Sequence, residues 1–125
     1  MTARRTVTVH TLDHGDVPVL EPAWCLGQHD AQHGGYRADI VHNGPDTSLV
    51  YDGHSLLTAA IAMYPFAELL PVGPLLTVDL GDGWHGFPTP DAVRDFADAL
   101  TGHSRVLYAL ADELDAAQRG TNRSE

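Results

Sequence analysis

The sequence predicts an α+β domain: a small antiparallel meander of four to five strands packed against one long C-terminal amphipathic helix. Three features carry that prediction. Short runs of alternating apolar and polar residues fill the first two thirds of the chain, Asp52-Gly53 has the chemistry of a two-residue hairpin turn, and an apolar stripe recurs at helical steps after Thr89. With 125 residues, 43% of them hydrophobic, the chain can build one core. A single domain is expected over residues 1–120, followed by a frayed tail at 121–125.

Arg5 to Leu12 reads as a strand, with Val7 and Val9 on one face and threonines and His10 on the other. Asp13 to Gln32 shows no period and reads as a long loop, of the kind that is usually functional or pinned. Tyr36 to His42 alternates and predicts a strand, and Asn43-Gly44-Pro45-Asp46 predicts a turn. Ser48 to Tyr51 is a short strand entering the Asp52-Gly53 turn. The next segment, His54 to Tyr64, carries a stripe (Leu56, Leu57, Ala60, Ile61, Tyr64) that suits a helix. The tight turn before it and Pro65 after it favour an antiparallel strand, which is the reading taken. Leu75 to Leu80 is a strand with Leu76, Val78 and Leu80 inward, and Trp84 to Pro88 reads as loop.

Thr89 is a good N-cap, Pro90 suits the first helical position, and Asp91 complements the helix dipole. Val93, Phe96, Ala97, Leu100, Leu107, Leu110 and Leu114 then form one apolar stripe. Gly102 is a point where the helix could kink or split, and Gly120 marks its expected end.

Charge excludes several function classes. Seventeen acids stand against seven bases, all of them arginine, for a formal net charge of −10. A nucleic-acid grip needs a basic face to displace counterions, and docking on an anionic membrane needs the same. One cysteine rules out an intramolecular disulfide. Leu56 to Leu76 is the one stretch that imitates a membrane span, and it holds Glu68, Pro65, Pro71 and Pro74. The first ten residues contain no apolar run of the signal-peptide kind, so a cytoplasmic location is expected.

The residues that could carry chemistry lie together. Six of the eight histidines precede residue 55, and the dense part is Cys25-Leu-Gly-Gln-His29, then His33, Asp39 and His42. Thiolate and imidazole are the donors a zinc ion prefers, and four in tetrahedral array close a structural site. The C-x3-H spacing lets one turn aim both donors at one ion, and His42 could close the cage from the sheet side. The fourth donor could be His33 or Glu21. Against this stands the plain alternative: Cys25 as a small buried hydrophobe beside Trp24, with the histidines as surface loop residues. A catalytic reading makes Cys25 a nucleophile with His29 or His42 as base and Asp39 as orienter. A regular strand over 36–42 would set Asp39 and His42 on opposite faces, which weakens it. Among the remaining residues, Trp84-His85 reads as a cap on the core, His103 as a core-edge residue, and the aspartates of the C-terminal segment as its solvated face.

At Pro22-Ala-Trp-Cys25, His29 and Asp39-Ile-Val-His42-Asn-Gly44 the chain resembles a family of small actinobacterial proteins of unknown function. Those pair a Cys-Pro-x-Trp-Cys-x3-His segment with a later Asp/His-Gly segment, then strands and a C-terminal helix. The resemblance covers about Thr6 to the end of the helix and implies Cys25, His29 and His42 as metal ligands. It supports a strand over 54–64 and implies no reaction. Where the family has its first cysteine this chain has Glu21.

The expected function is a non-enzymatic zinc domain acting as a protein-interaction or regulatory module. Its ligands would be Cys25, His29 and His42 with Glu21 or His33. An unidentified protein partner is expected, with neither nucleic acid nor membrane, and a homodimer is compatible with the pattern. The alternatives are a zinc hydrolase or Cys-His enzyme, and an acidic decoy imitating nucleic acid.

Overall fold

The computed structural model describes residues 5–70 and 73–124, which fall into two compact units divided between Thr89 and Pro90. The arrangement is α+β: two antiparallel sheets, of two and five strands, and one long C-terminal helix.

The two-stranded sheet is a hairpin of β1 (Thr6–Thr11) and β2 (Gly15–Leu20). Its register places Val9 opposite Val17 and Val7 opposite Val19, so all four valines share one face. Val9, Val17 and Val19 are buried with Ile40 as a core cluster, against which Val7 and Phe66 pack. The expected loop over 13–32 therefore begins with a strand. Pro18 hid it, because proline in a strand removes a ladder donor. A two-stranded ribbon has only edge strands, and there proline is tolerated.

A second correction concerns residues 36–42, expected to be a strand. Arg37–Asp39 forms a 3-10 turn, and only His42–Asn43 pairs, as β3. Tertiary contacts override the alternating pattern. Arg37 N donates to Asp13 Oδ1 at 2.9 Å, and the Arg37 guanidinium stacks 4.0 Å from the Phe66 ring centre.

The five-stranded sheet is built around β5 (His54–Met63), the segment whose pattern was ambiguous between helix and strand. On one side β5 pairs with β3 and with β4 (Thr47–Tyr51); on the other it pairs with β6 (Leu75–Asp79). Asp52 and Gly53 both adopt positive φ, +52° and +75°, as the primed hairpin turn requires. Trp84–Phe87, expected as loop, is strand β7 on the far edge, with His85 opposite Val78. Four residues are too few to show a period, which is why it was illegible. Ala59, Ala62, Leu75 and Val78 are the buried apolar residues of this sheet.

The second unit is helix α1, Pro90–Ser124. It starts at the expected proline, runs unbroken through Gly102, and continues past Gly120, where it was expected to stop. Arg94–Asp91 and Arg119–Asp115 ion pairs, 2.9 and 3.1 Å, line its polar face. Among the described residues no helix is long and apolar enough to cross a membrane.

Candidate metal centre

Three polar side chains are buried among the described residues: Glu21, His29 and His42. All three belong to one site. Its elements are the residue after β2, the segment that follows, and the first residue of β3.

Glu21 is held where β2 ends by its backbone N–H, which donates to Arg5 O at 2.8 Å. The chain then turns, with Cys25 N donating to Pro22 O at 3.0 Å, and Leu26 N bonds to Asn43 O at 2.9 Å, which ties the cysteine segment to β3. Gly44, just past β3, lies under Trp24: a Cβ there would stand 3.4 Å from the indole and from Ile61 O. His29 precedes a 3-10 turn, Asp30–Gln32, and Gln32 N donates to His29 O at 2.9 Å. His42 is carried by β3 opposite Met63 and is wholly enclosed.

These elements bring one donor atom each from Cys25, His29 and His42 within 4.8 Å of one another. Cys25 Sγ lies 3.7 Å from His29 Nε2, and Glu21 Oε1 lies 3.1 Å from the same nitrogen. Around a tetrahedral zinc ion, bond lengths of about 2.3 Å to sulfur and 2.0–2.1 Å to nitrogen or oxygen give edges of about 3.6 Å (S···N) and 3.3 Å (N···O). The observed separations are close to those edges. The His29 and His42 rings meet at right angles with centres 5.3 Å apart, so neither stacks over the other's donor face.

Hydrogen bonding fixes which nitrogen of His29 faces the cluster. Gln32 Oε1 accepts from Val41 N at 3.0 Å, and Gln32 Nε2 donates to Val41 O at 2.9 Å. The amide orientation is thereby set, and Oε1 also lies 3.3 Å from His29 Nδ1. Nδ1 must then carry a proton, and the neutral ring presents its Nε2 lone pair to the sulfur and the carboxylate. Three electron-rich atoms facing one another repel unless a cation or a proton sits between them. A thiol proton would satisfy Nε2, and a proton on Nε2 would pair with Glu21 Oε1, yet either arrangement leaves both ring nitrogens of His42 buried and without hydrogen-bond partners. Buried polar atoms are seldom left so.

The other Glu21 oxygen, Oε2, accepts from Arg5 Nε at 2.6 Å. That hydrogen bond, and then the guanidinium charge, hold the Glu21 carboxyl below the usual carboxylate range against the opposing effect of burial. Burial first, and His29 second, push the His42 imidazole below its ordinary value. Glu21 is therefore charged and His42 neutral at neutral pH, the forms in which each can bind a metal. Gly27, at φ +77°, passes close under the same guanidinium, and a Cβ there would approach Arg5 Nη2 to 2.4 Å. Gly27 N also donates to Cys25 Sγ at 3.3 Å.

Of the five ligand candidates, Cys25, His29 and His42 converge and Glu21 stands beside them. His33 is placed elsewhere: it is exposed, its Nδ1 accepts from His10 N at 3.0 Å, and its ring lies against that of His10. Asp39, considered as an orienter, sits exposed in the 3-10 turn. Sequence reasoning missed Arg5 and Gln32. Gln32 follows His29 by three residues, a spacing that a turn converts into contact. Arg5 is sixteen residues from Glu21, and no local signal connects them.

A family model for a domain of unknown function, DUF6907, matches residues 6–116, and the chain belongs to that family. No curated protein and no solved structure matches the chain.

Proposed function

We propose that this DUF6907 domain binds one zinc ion through Cys25, His29, His42 and Glu21 Oε1, and that the ion fixes the segment between β2 and β3 as a rigid, non-catalytic binding surface. The observation that carries this reading is the convergence of one donor atom each from Cys25, His29 and His42 within 4.8 Å, with His42 wholly buried and its ring without a hydrogen-bond partner. One thiolate and two imidazoles suit zinc better than harder cations, which prefer all-oxygen cages. Thiolate and carboxylate together neutralise the dication, and Arg5 holds the second carboxylate oxygen in place.

Four protein donors leave no open coordination position for a substrate, which distinguishes a structural site from a hydrolytic one. The ion would also supply what short-range structure lacks over 21–41: among the described residues that stretch holds two single-turn 3-10 helices and no strand. Its task is then to present the loop to another protein. Elemental analysis of tag-free protein is the test. About one zinc per chain is expected, falling to background in Cys25→Ala and His42→Ala, and substoichiometric zinc in intact wild-type protein would falsify the reading.

One observation favours a second reading. Cys25 Sγ, His29 Nε2 and the Gln32 amide on His29 Nδ1 also have the order of a thiol nucleophile, its base and an orienter. That reading assigns nothing to His42. Rapid iodoacetamide labelling of zinc-free Cys25 at neutral pH, with no protection by added zinc, would select it.

A further inference from the structure

We propose that helix α1 pairs with α1 of a second copy of this chain in a two-stranded coiled coil, making the protein a homodimer. The inference is independent of the metal reading and rests on a different unit of the fold.

The first observation is the period. Val93, Leu100, Leu107, Leu114 and Thr121 stand seven apart, and Phe96, His103, Leu110 and Ala117 stand three residues after the first four. These are the a and d positions of consecutive heptads; Val93 and Phe96 of the first are half-buried, and the exposed part of the seam begins at Leu100. A straight helix drifts by about 20° per heptad against a 3.5-residue repeat. A strict repeat along α1 therefore keeps facing a partner that supercoils with it, which another helix can do and a flat surface cannot.

The second observation is shape. Leu114, Ala117, Gln118 and Thr121 line a shallow, open depression on α1. They are residues i, i+3, i+4 and i+7, the four that form the hole into which a d-position knob of a facing helix inserts. Every residue lining it lies on the seam or directly beside it.

The third is charge. Asp91, Arg94, Asp95, Asp98, Arg105, Asp112, Asp115 and Arg119 all occupy b, c or f, the positions turned from the seam. The e positions are Ala97, Ser104, Ala111 and Gln118, and the g positions hold a single charge, Glu113. Two copies of an acidic chain thus meet along a face nearly free of charge, so the usual objection to self-association, like-charge repulsion, is absent where it would matter. Leu100, Leu107, Leu110 and Leu114 are each about half exposed, at 46, 55, 50 and 58%, and provide the apolar area for the contact. Inside the seam, short of its terminal Thr121, stands one polar residue, His103 at d. A lone polar seam residue fixes register at a cost in stability.

Sedimentation equilibrium of the full chain across the micromolar range, with and without added zinc, tests the proposal. A species of twice the 13.5 kDa chain mass is expected. Leu107→Asp/Leu114→Asp should give the monomer, while Tyr51→Asp, on the exposed strand β4, should leave the dimer intact. His103→Leu should strengthen association about tenfold or more by removing the polar seam residue, a gain that no folding failure can imitate. A wild-type chain that stays monomeric throughout overturns the proposal. So does a dimer that survives the double substitution or dissociates with Tyr51→Asp.

Discussion

The Gln32 carboxamide closes on both main-chain polar groups of Val41, accepting from its N–H and donating to its carbonyl, at 3.0 and 2.9 Å. A side chain here takes the place of a neighbouring strand. The consequence reaches the candidate metal centre from both ends, because Gln32 also orients His29 and Val41 immediately precedes His42. One residue outside the donor set thus holds two of its members in relative position.

Gln32→Ala should therefore act on metal affinity more than its distance from the ion suggests. Loss of an orienting partner typically lowers metal affinity about 10–100-fold. Two lost hydrogen bonds to half-buried backbone cost about 1–3 kcal/mol of stability. Competition with a chromophoric chelator measures the first and chemical denaturation the second. An affinity within threefold of wild type would show that Gln32 only braces the backbone.

His42 distinguishes a metal ligand from a tolerated core histidine. In metal-free protein its two nitrogens lack partners, and each buried polar atom of that kind costs about 1–3 kcal/mol. His42→Leu should raise the melting temperature of the metal-free protein and abolish the stabilisation that zinc confers on wild type. Thermal scans with and without chelator read both effects. If the substitution lowers Tm equally in both conditions, His42 contributes packing alone.

How much of this was legible beforehand depends on the range of the interaction. The C-x3-H spacing and His42 could be read from the chain because ligand chemistry is carried by residue type, and so could Asp52-Gly53, where the backbone itself demands positive φ. Helix α1 was legible because a stripe many turns long overwhelms local noise, although its end was misjudged: glycine penalises a helix without terminating it. Strand β2 was hidden by Pro18. The strand expected at Tyr36–His42 gave way to a turn anchored by Asp13 and Phe66, partners 24 and 29 residues distant from Arg37. Arg5 was missed for the same reason. An alternating pattern states which face a strand would bury, and it cannot register a competing bond made from across the fold.

Gly27 should not tolerate a side chain. Its φ of +77° is strained for any residue with a Cβ, and that Cβ would collide with the Arg5 guanidinium. The backbone term costs about 1–2 kcal/mol. Displacing Arg5 would also strip Glu21 of its partner. Gly27→Ala should lower stability and weaken zinc binding together, whereas Gly53→Ala, at a turn with open space around it, should lower stability alone. Paired denaturation and zinc-competition curves for the two variants test this. Equal zinc affinity in both would mean that Arg5 relocates without consequence for Glu21.

Acid should unfold the metal-free protein through His42 before it acts through Glu21. The folded-state value of His42 lies below its ordinary one, so on acidification the unfolded chain takes up the proton first. Stability is full above the ordinary imidazole value, about 6.5, and declines as pH falls from there toward the lowered folded value. Glu21 is likewise depressed, chiefly by its hydrogen bond to Arg5, so its contribution persists until pH drops below the ordinary glutamate value, near 4.3, and is lost as it falls through the folded one. Two successive losses are expected in a plot of unfolding free energy against pH. His42→Leu should erase the upper one, and Arg5→Met should diminish the lower one. Zinc should sharpen the upper loss, because protons then compete with the metal for imidazole and thiolate. Denaturant titrations from about pH 8 to about pH 2 (roughly from above the ordinary imidazole value to well below the ordinary glutamate value) provide the measurement. An upper loss that persists in His42→Leu would assign it to another histidine.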